Sequence, residues 1–342
     1  MKKHSLLFAS LVISLALPAQ IVVDVSGSGV QKISVDISSS SSAFKKSLAR
    51  NLELSGLFTV KAGGAVKVSA ASGAISASGR GKSLSRSDTY SDDASARMAA
   101  RRFSDAMCET FGGQKGFACD KIIFLNRGRK VGDSKVLPSE LCLSYPDGFD
   151  IRQLTKDAKM TIFPRWKDSE SIYYISDRGG APQIWEMNVL TGRRSCKFSF
   201  KGSPTGIAIS PDGSKLAAIL SFQGNPELYI IDPGSGTWLR LTNTPRASEG
   251  QPTWSPDGRK IAYVSNETRH PQIYVIDIAT KAKRRLTSRG RENIDPDWGA
   301  DGRIAYITKR GGAQVAVLDP AAGDASARLI KLRSSCQLSI HL

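Results

Sequence analysis

Trp254-Ser255-Pro256-Asp257-Gly258, the apolar run Ile261 to Ser265 and then Gln272-Ile273-Tyr274 form a unit that the chain writes four times. The other copies of its first part are Pro164-Arg165-Trp166-Lys167-Asp168, Ile207-Ala208-Ile209-Ser210-Pro211-Asp212-Gly213 and Pro296-Asp297-Trp298-Gly299-Ala300-Asp301-Gly302. The key positions 166, 209, 254 and 298 lie 43, 45 and 44 residues apart. An apolar strand follows each, at Ile172 to Ser176, Leu216 to Leu220, Ile261 to Ser265 and Ile304 to Thr308. A third element repeats as Gln183-Ile184-Trp185, Glu227-Leu228-Tyr229, Gln272-Ile273-Tyr274 and Gln314-Val315-Ala316. Two copies end on a fourth strand, Leu239-Arg240-Leu241-Thr242 and Arg285-Leu286-Thr287. Four short strands per repeat, with no helix between, are what a β-propeller blade requires. Pro-Asp-Gly makes the tight turn between the first two strands, because Gly accepts positive φ at no steric cost. One blade cannot bury both its faces, so several must pack in a ring.

The rest of the chain differs in texture. Lys2 and Lys3 precede an uncharged apolar run from Leu6 to Leu17, with Ala16 and Ala19 before a cleavage point, so residues 1–20 read as a signal peptide. The run is too short for a membrane span, and the mature chain is expected outside the cytoplasm without a transmembrane segment. Residues 21–116 read as a small mixed α/β domain. Val22 to Val25 and Ile33 to Ile37 alternate like strands, while Phe44, Leu48 and Leu52 share one helical face. Leu57 to Val60 follows as a strand, 61–87 as short strands and loops, and Asp92 to Thr110 as a second helix with a stripe from Ala96 to Met107. The propeller is expected over 118–334, with a first blade drawing strands from Lys121 to Leu125, Glu140 to Ser144 and Phe149 to Thr155, and an atypical tail at 335–342.

The formal net charge is +17, spread over strand ends and loops without a dense basic block, so it reads as solvated surface rather than a nucleic-acid site. Five cysteines are too few for a disulfide scaffold and show no C-x-x-C spacing. Cys108 and Cys119 could pair across a Gly-rich turn or remain isolated thiols. Three histidines occur, no G-x-S-x-G elbow is present, and Gly79-Arg80-Gly81-Lys82-Ser83 lacks the earlier Gly and the leading strand of a phosphate loop. No catalytic residue, metal or cofactor is expected, and the chain reads as a non-enzymatic monomer.

Binding is expected on the disc face opposite the Pro-Asp-Gly turns. The loops leading into the innermost strands offer Thr161, Phe163, Thr205, Glu249, Gln251, Asn293 and Asp295. Those joining the second and third strands offer Arg178, Arg269, His270 and Arg310.

The unit Trp254 to Tyr263 with Gln272 to Asp277 resembles the propeller repeat of the TolB family, the periplasmic component of the Tol–Pal system. Phe44 to Val60, with Leu54-Ser55-Gly56-Leu57-Phe58 at its centre, resembles that family's first helix and following strand. The resemblance implies a periplasmic adaptor without enzymatic activity. It implies that the channel mouth receives the peptidoglycan-associated lipoprotein Pal and that the amino-terminal part engages inner-membrane Tol proteins. Outer-membrane integrity, cell division and macromolecule import are the implied roles. The family's propeller has six blades, and residues 118–332 supply about five. Either the chain stops short near Arg333 and leaves an open ring, the preferred reading, or the alternating Cys336, Leu338, Ile340 and Leu342 supply the innermost strand of blade one. The alternative to the adaptor is an unrelated exported propeller that binds polysaccharide or another envelope ligand.

Overall fold

The computed structural model describes residues 32–127, 138–222, 224–309 and 312–330. The signal peptide expected at 1–20, the strand expected at Val22–Val25, Arg310 and the tail 335–342 lie outside the described residues.

The amino-terminal part is a five-stranded sheet under two helices. Its strands are β1 (Ile33–Ser39), β2 (Phe58–Val60), β3 (Val66–Ala71), β4 (Ala74–Gly79) and β5 (Lys82–Arg86), in the order β2-β1-β3-β4-β5. β1 runs parallel to β2 and β3, and β3, β4 and β5 form an antiparallel meander. Alternation places Ile33, Val35, Ile37, Val66, Val68, Ile75 and Ala77 on the buried face. Helix α1 (Ser42–Leu54) starts where the Ser41 hydroxyl accepts the Phe44 N–H at 3.2 Å. Helix α2 (Asp93–Met107) opens on a reciprocal Asp92–Ser95 capping box. Phe44, Leu48 and Leu52 from α1 and Ala99, Ala100, Phe103 and Met107 from α2 are fully buried against the sheet and each other. Each large side chain so buried contributes about 1.5–3 kcal/mol. The Gly79–Lys82 stretch is the tip of the β4–β5 hairpin, a plain turn.

The remaining strands form five blades. The second blade is β9 (Thr161–Trp166), β10 (Ser171–Ser176), β11 (Gln183–Asn188) and β12 (Arg194–Phe198). The third is β13 (Ser203–Ile209), β14 (Leu216–Ser221), β15 (Pro226–Ile231) and β16 (Trp238–Arg240). The fourth is β17 (Glu249–Trp254), β18 (Lys260–Ser265), β19 (Gln272–Asp277) and β20 (Lys283–Arg285). The fifth is β21 (Asn293–Trp298), β22 (Ile304–Lys309), β23 (Ala313–Leu318) and β24 (Arg328–Leu329). All four are antiparallel meanders running from the centre outward. Gly213, Gly258 and Gly302 take φ of 72°, 68° and 83° in the turns between first and second strands, the conformation that Pro-Asp-Gly and Ala-Asp-Gly require.

The first blade has three described strands, β6 (Ile122–Arg127), β7 (Ser139–Ser144) and β8 (Arg152–Gln153). Their hydrogen bonds show which places they fill. In blades three and four the third strand is tied to the residues just past the outer strand by a Leu-Thr pair. Leu241 N–H donates to Leu228 O at 2.8 Å while Leu228 N–H donates to Thr242 Oγ1 at 2.9 Å; Leu286, Ile273 and Thr287 repeat this. Leu154, Leu141 and Thr155 repeat it again, at 2.7 and 2.9 Å. β7 and β8 are therefore third and fourth strands, and β6 is a second strand. Among the described residues, the inner edge of β6 has no strand partner.

Apolar cores fill the seams between consecutive blades. Leu141, Ile172 and Tyr174 join blades one and two; Ile207, Ile175 and Leu220 join two and three. Trp254, Ile219 and Tyr263 join three and four; Ile273, Ile304 and Leu318 join four and five. The seam with the α/β part is polar instead. Arg101 of α2 and Asp147, in the loop between β7 and β8, are both fully buried and bonded through Nε–Oδ2 and Nη2–Oδ1, each at 2.9 Å. Ser47 and Asn51 of α1 also donate to Asp147 Oδ2, at 2.7 and 3.1 Å. Arg101 adds Asp150 at 2.8 Å and stacks over the Tyr145 ring at 3.9 Å. No helix among the described residues is long and apolar enough to cross a membrane. Cys108 and Cys119 are free thiols, and burial pushes them up to about 11 and about 12, so neither is a thiolate at neutral pH.

Candidate functional site

The innermost strands β9, β13, β17 and β21, together with β6, surround a central cavity of about 880 Å³. Its wall is built at one recurring irregularity. Phe163, Gln251 and Asp295, though not glycine, take φ of 52°, 48° and 50°, and each precedes a proline. The ladder between first and second strands slips at each of these points. A bulge re-aims the side chain, and here all three residues line the channel, Phe163 while packed into the core between blades two and three. Such backbone costs on the order of 1–3 kcal/mol per residue and persists only where the surroundings enforce it. In β13 the slip falls between Pro204 and Gly206, with Thr205 as the unpaired residue and Gly206 at the register of the other three.

Two bulges are tied to each other across blades four and five. The Gln251 amide donates to Asp295 Oδ1, and Asp295 N–H donates back to Gln251 Oε1 at 3.0 Å. Burial pushes the Asp295 carboxyl up to about 6, against the opposing pull of Arg165 and of the Gln251 amide. Arg165 of β9 lies inside the channel, open to channel water yet enclosed by protein, and enclosure lowers its pKa against the attraction of Asp297 and Asp295. Trp166, Trp254 and Trp298 complete the wall toward the turn side. The channel thus has an apolar, proline- and tryptophan-rich body, a cation on blade two and carboxylates on blade five.

The other expected contacts are distributed differently. Thr161 is buried, with its N–H on Ser139 Oγ at 3.0 Å. Asn293 is buried, donating to Gln272 Oε1 at 2.7 Å and Arg289 O at 2.9 Å. Glu249 is fully buried at the start of β17. Thr205 is half-buried, and its hydroxyl has no partner. Arg178 stacks on Trp185 at 4.9 Å and reaches Asp157 at 3.8 Å, while Arg269 and His270 are exposed on the β18–β19 loop. The channel therefore gathers Phe163, Gln251 and Asp295, and it also includes Arg165, two residues past the Phe163 bulge in β9. The signal that could have found the bulges is a residue–proline pair inside an innermost strand, three times at one register. Among the described residues, no group of three or more His, Cys, Asp or Glu could hold a metal ion.

Comparison with known proteins agrees with this architecture. Residues 108–334 match the TolB beta propeller domain family. A Tol-Pal system protein TolB from Desulfosudis oleivorans is 32% identical over 145 residues, which are 42% of this chain and 31% of that protein. The matched stretch thus spans less than a third of that relative. The crystal structure of TolB from Acinetobacter baumannii superposes with a TM-score of 0.73 at 22% identity, covering 88% of this chain and 83% of that one. The structure of a putative TolB from Agrobacterium tumefaciens gives a TM-score of 0.47 at 22% identity, over 53% of this chain and 65% of that one.

Proposed function

Because this chain belongs to the TolB beta propeller family, we propose that it is a non-catalytic periplasmic adaptor of the Tol–Pal system. In this reading residues 1–20 direct export, 21–116 engage inner-membrane Tol proteins, and the propeller at 118–334 receives the peptidoglycan-associated lipoprotein Pal. The adaptor would serve outer-membrane integrity, cell division and macromolecule import as a monomer. The observation that carries the reading is the channel mouth, where bulged residues from separate blades converge on one opening. A fixed, shape-specific mouth of mixed polarity suits a folded or extended protein partner better than a reaction. The absence of a G-x-S-x-G elbow from the sequence, and the position of His270 on an exposed loop, support the non-catalytic part.

A second reading, an exported polysaccharide-binding propeller, is favoured by one feature at the outer rim. Phe198 stacks on Phe200 at 5.9 Å and Phe222 on Trp238 at 5.2 Å, with Trp238 53% exposed. Incubating the mature protein with envelope extract and recovering its ligands separates the two. Recovery of the peptidoglycan-associated lipoprotein supports the adaptor; recovery of glycan alone rejects it. Removing both partners of the inter-blade bond, Gln251→Ala with Asp295→Ala, is expected to weaken lipoprotein binding at least about tenfold, or about 1.4 kcal/mol. Titration calorimetry of a variant with an unchanged far-ultraviolet spectrum checks this. Equal affinity would remove the channel mouth from the contact surface.

A further inference from the structure

At the seam of blades three and four, two carboxylates are buried side by side with unequal support. Glu227 of β15 is 2% exposed and Glu249 of β17 is fully buried. Glu227 is compensated: Arg240 Nη2 reaches its Oε1 at 2.9 Å, Thr244 N–H donates to the same oxygen at 2.7 Å, and Thr242 donates to Oε2 at 2.6 Å. Glu249 is supported only by hydroxyls: Thr244 Oγ1 donates to Oε1 at 2.6 Å, and Ser265 adds a weaker hydrogen bond. Its Oε2 is buried without a partner, and among the described residues no cation forms an ion pair with it. The same Thr244 hydroxyl lies 3.3 Å from Glu227 Oε2, but it has a single proton and can satisfy only one carboxylate at a time.

The surroundings offer no countercharge. β18 contributes Tyr263, a buried hydroxyl without a partner, and the uncharged Ser265 opposite Glu249 in the ladder. Glu267, beyond β18, adds a further negative charge and is itself held by Lys283. β19 contributes Tyr274, whose hydroxyl donates toward Thr268. β13 and β14 carry no ionisable residue, and Asp295 and Asp297 of β21 face the channel. An unpaired buried carboxylate is far costlier than a buried neutral acid, so this geometry selects a protonated Glu249.

We propose that Glu249 is a proton-operated clasp on the blade-three to blade-four connection: protonated, it holds Thr244 and fixes the 242–249 segment, and ionised, it repels Glu227 and loosens that segment. The segment leads directly into the Gln251 bulge, so proton loss is transmitted to the channel wall. Burial pushes the Glu249 carboxyl up to about 7; hydrogen bonds from Thr244 and Ser265 oppose this, and the charges of Glu227 and Glu267 reinforce it. The sign follows from linkage. Stabilisation by the neutral acid is complete below the ordinary glutamate range and is lost as pH rises through about 7. The clasp does not depend on the identity of any partner.

The test compares the wild-type protein with Glu249→Gln between about pH 5 and about pH 8. The wild-type melting temperature is expected to fall over this interval by roughly 5 °C more than that of the variant. Asp295 titrates in both proteins and cancels in the difference. Backbone hydrogen exchange across 242–250, corrected for the intrinsic pH dependence, should accelerate about tenfold or more in wild type and stay level in the variant. Parallel slopes in the two proteins would overturn the proposal. If the variant fails to fold, carboxyl-carbon NMR of the wild type decides: a Glu249 midpoint above about 6 supports the clasp, and one in the ordinary range near 4.5 rejects it.

Discussion

Arg101→Met is expected to destabilise the protein by about 3–5 kcal/mol, measured as a lower denaturant midpoint. Methionine roughly preserves the volume of the side chain, so packing is a minor part of the loss. The main part is electrostatic. Arg101 alone bonds both oxygens of Asp147 and reaches Asp150 as well, and neither it nor Asp147 touches solvent. Without the guanidinium, Asp147 keeps the Ser47 hydroxyl and the Asn51 amide but has lost its countercharge in a low-dielectric seam. Arg97 still holds Asp150, which is partly exposed and can be hydrated. A companion Asp147→Asn change should recover part of the loss, because the uncompensated charge is then gone. A single variant within 1 kcal/mol of wild type would show that the seam contributes little to stability.

Trp254→Ala should cost about 3–5 kcal/mol, whereas Trp298→Ala should cost clearly less, although the two occupy equivalent places in successive repeats. The difference lies in what each indole joins. Trp254 is buried in the seam of blades three and four, and its N–H donates to Ala208 O of the neighbouring blade at 3.2 Å. Trp298 is half-buried, and its N–H closes the turn of its own blade on Gly302 O at 3.0 Å. Truncating the first opens a cavity between blades and leaves a carbonyl without its partner. Truncating the second enlarges a surface already open to the channel. Equal losses in urea titrations would refute the view that Trp254 acts as the inter-blade staple.

The blades were legible because turn chemistry and strand alternation are local, and a period near 44 residues repeats them. The α/β region was legible where bulk made a pattern, as at Phe44, Leu48 and Leu52. It was less so at 61–87, where β3, β4 and β5 are written in alanine, serine and glycine and little contrast marks the buried face. The polar seam gave no pattern at all. Pro146-Asp147-Gly148 is the same tripeptide as Pro211-Asp212-Gly213, yet Asp212 is an exposed turn residue bonded to Ser210 at 2.6 Å, while Asp147 is the buried partner of a helix 46 residues upstream. Nothing within either tripeptide distinguishes them; the difference comes from what packs above. The channel was legible in part. Phe163, Gln251 and Asp295 were expected at the mouth from strand order, but the bulges that turn them inward depend on inter-blade bonds such as Gln251 to Asp295. Glu249 was expected as a surface contact, and its burial beside Glu227 is a product of tertiary packing.

The seam also has a mechanical meaning. Helix α2 grips the loop between β7 and β8 through Arg97 and Arg101 at once, and that loop is anchored at both ends in paired strands of blade one. Tension applied to the α/β region therefore reaches the disc by this grip as well as along the chain that leads into β6, whose Ala118 and Cys119 N–H groups are themselves tied to Asp105 of α2.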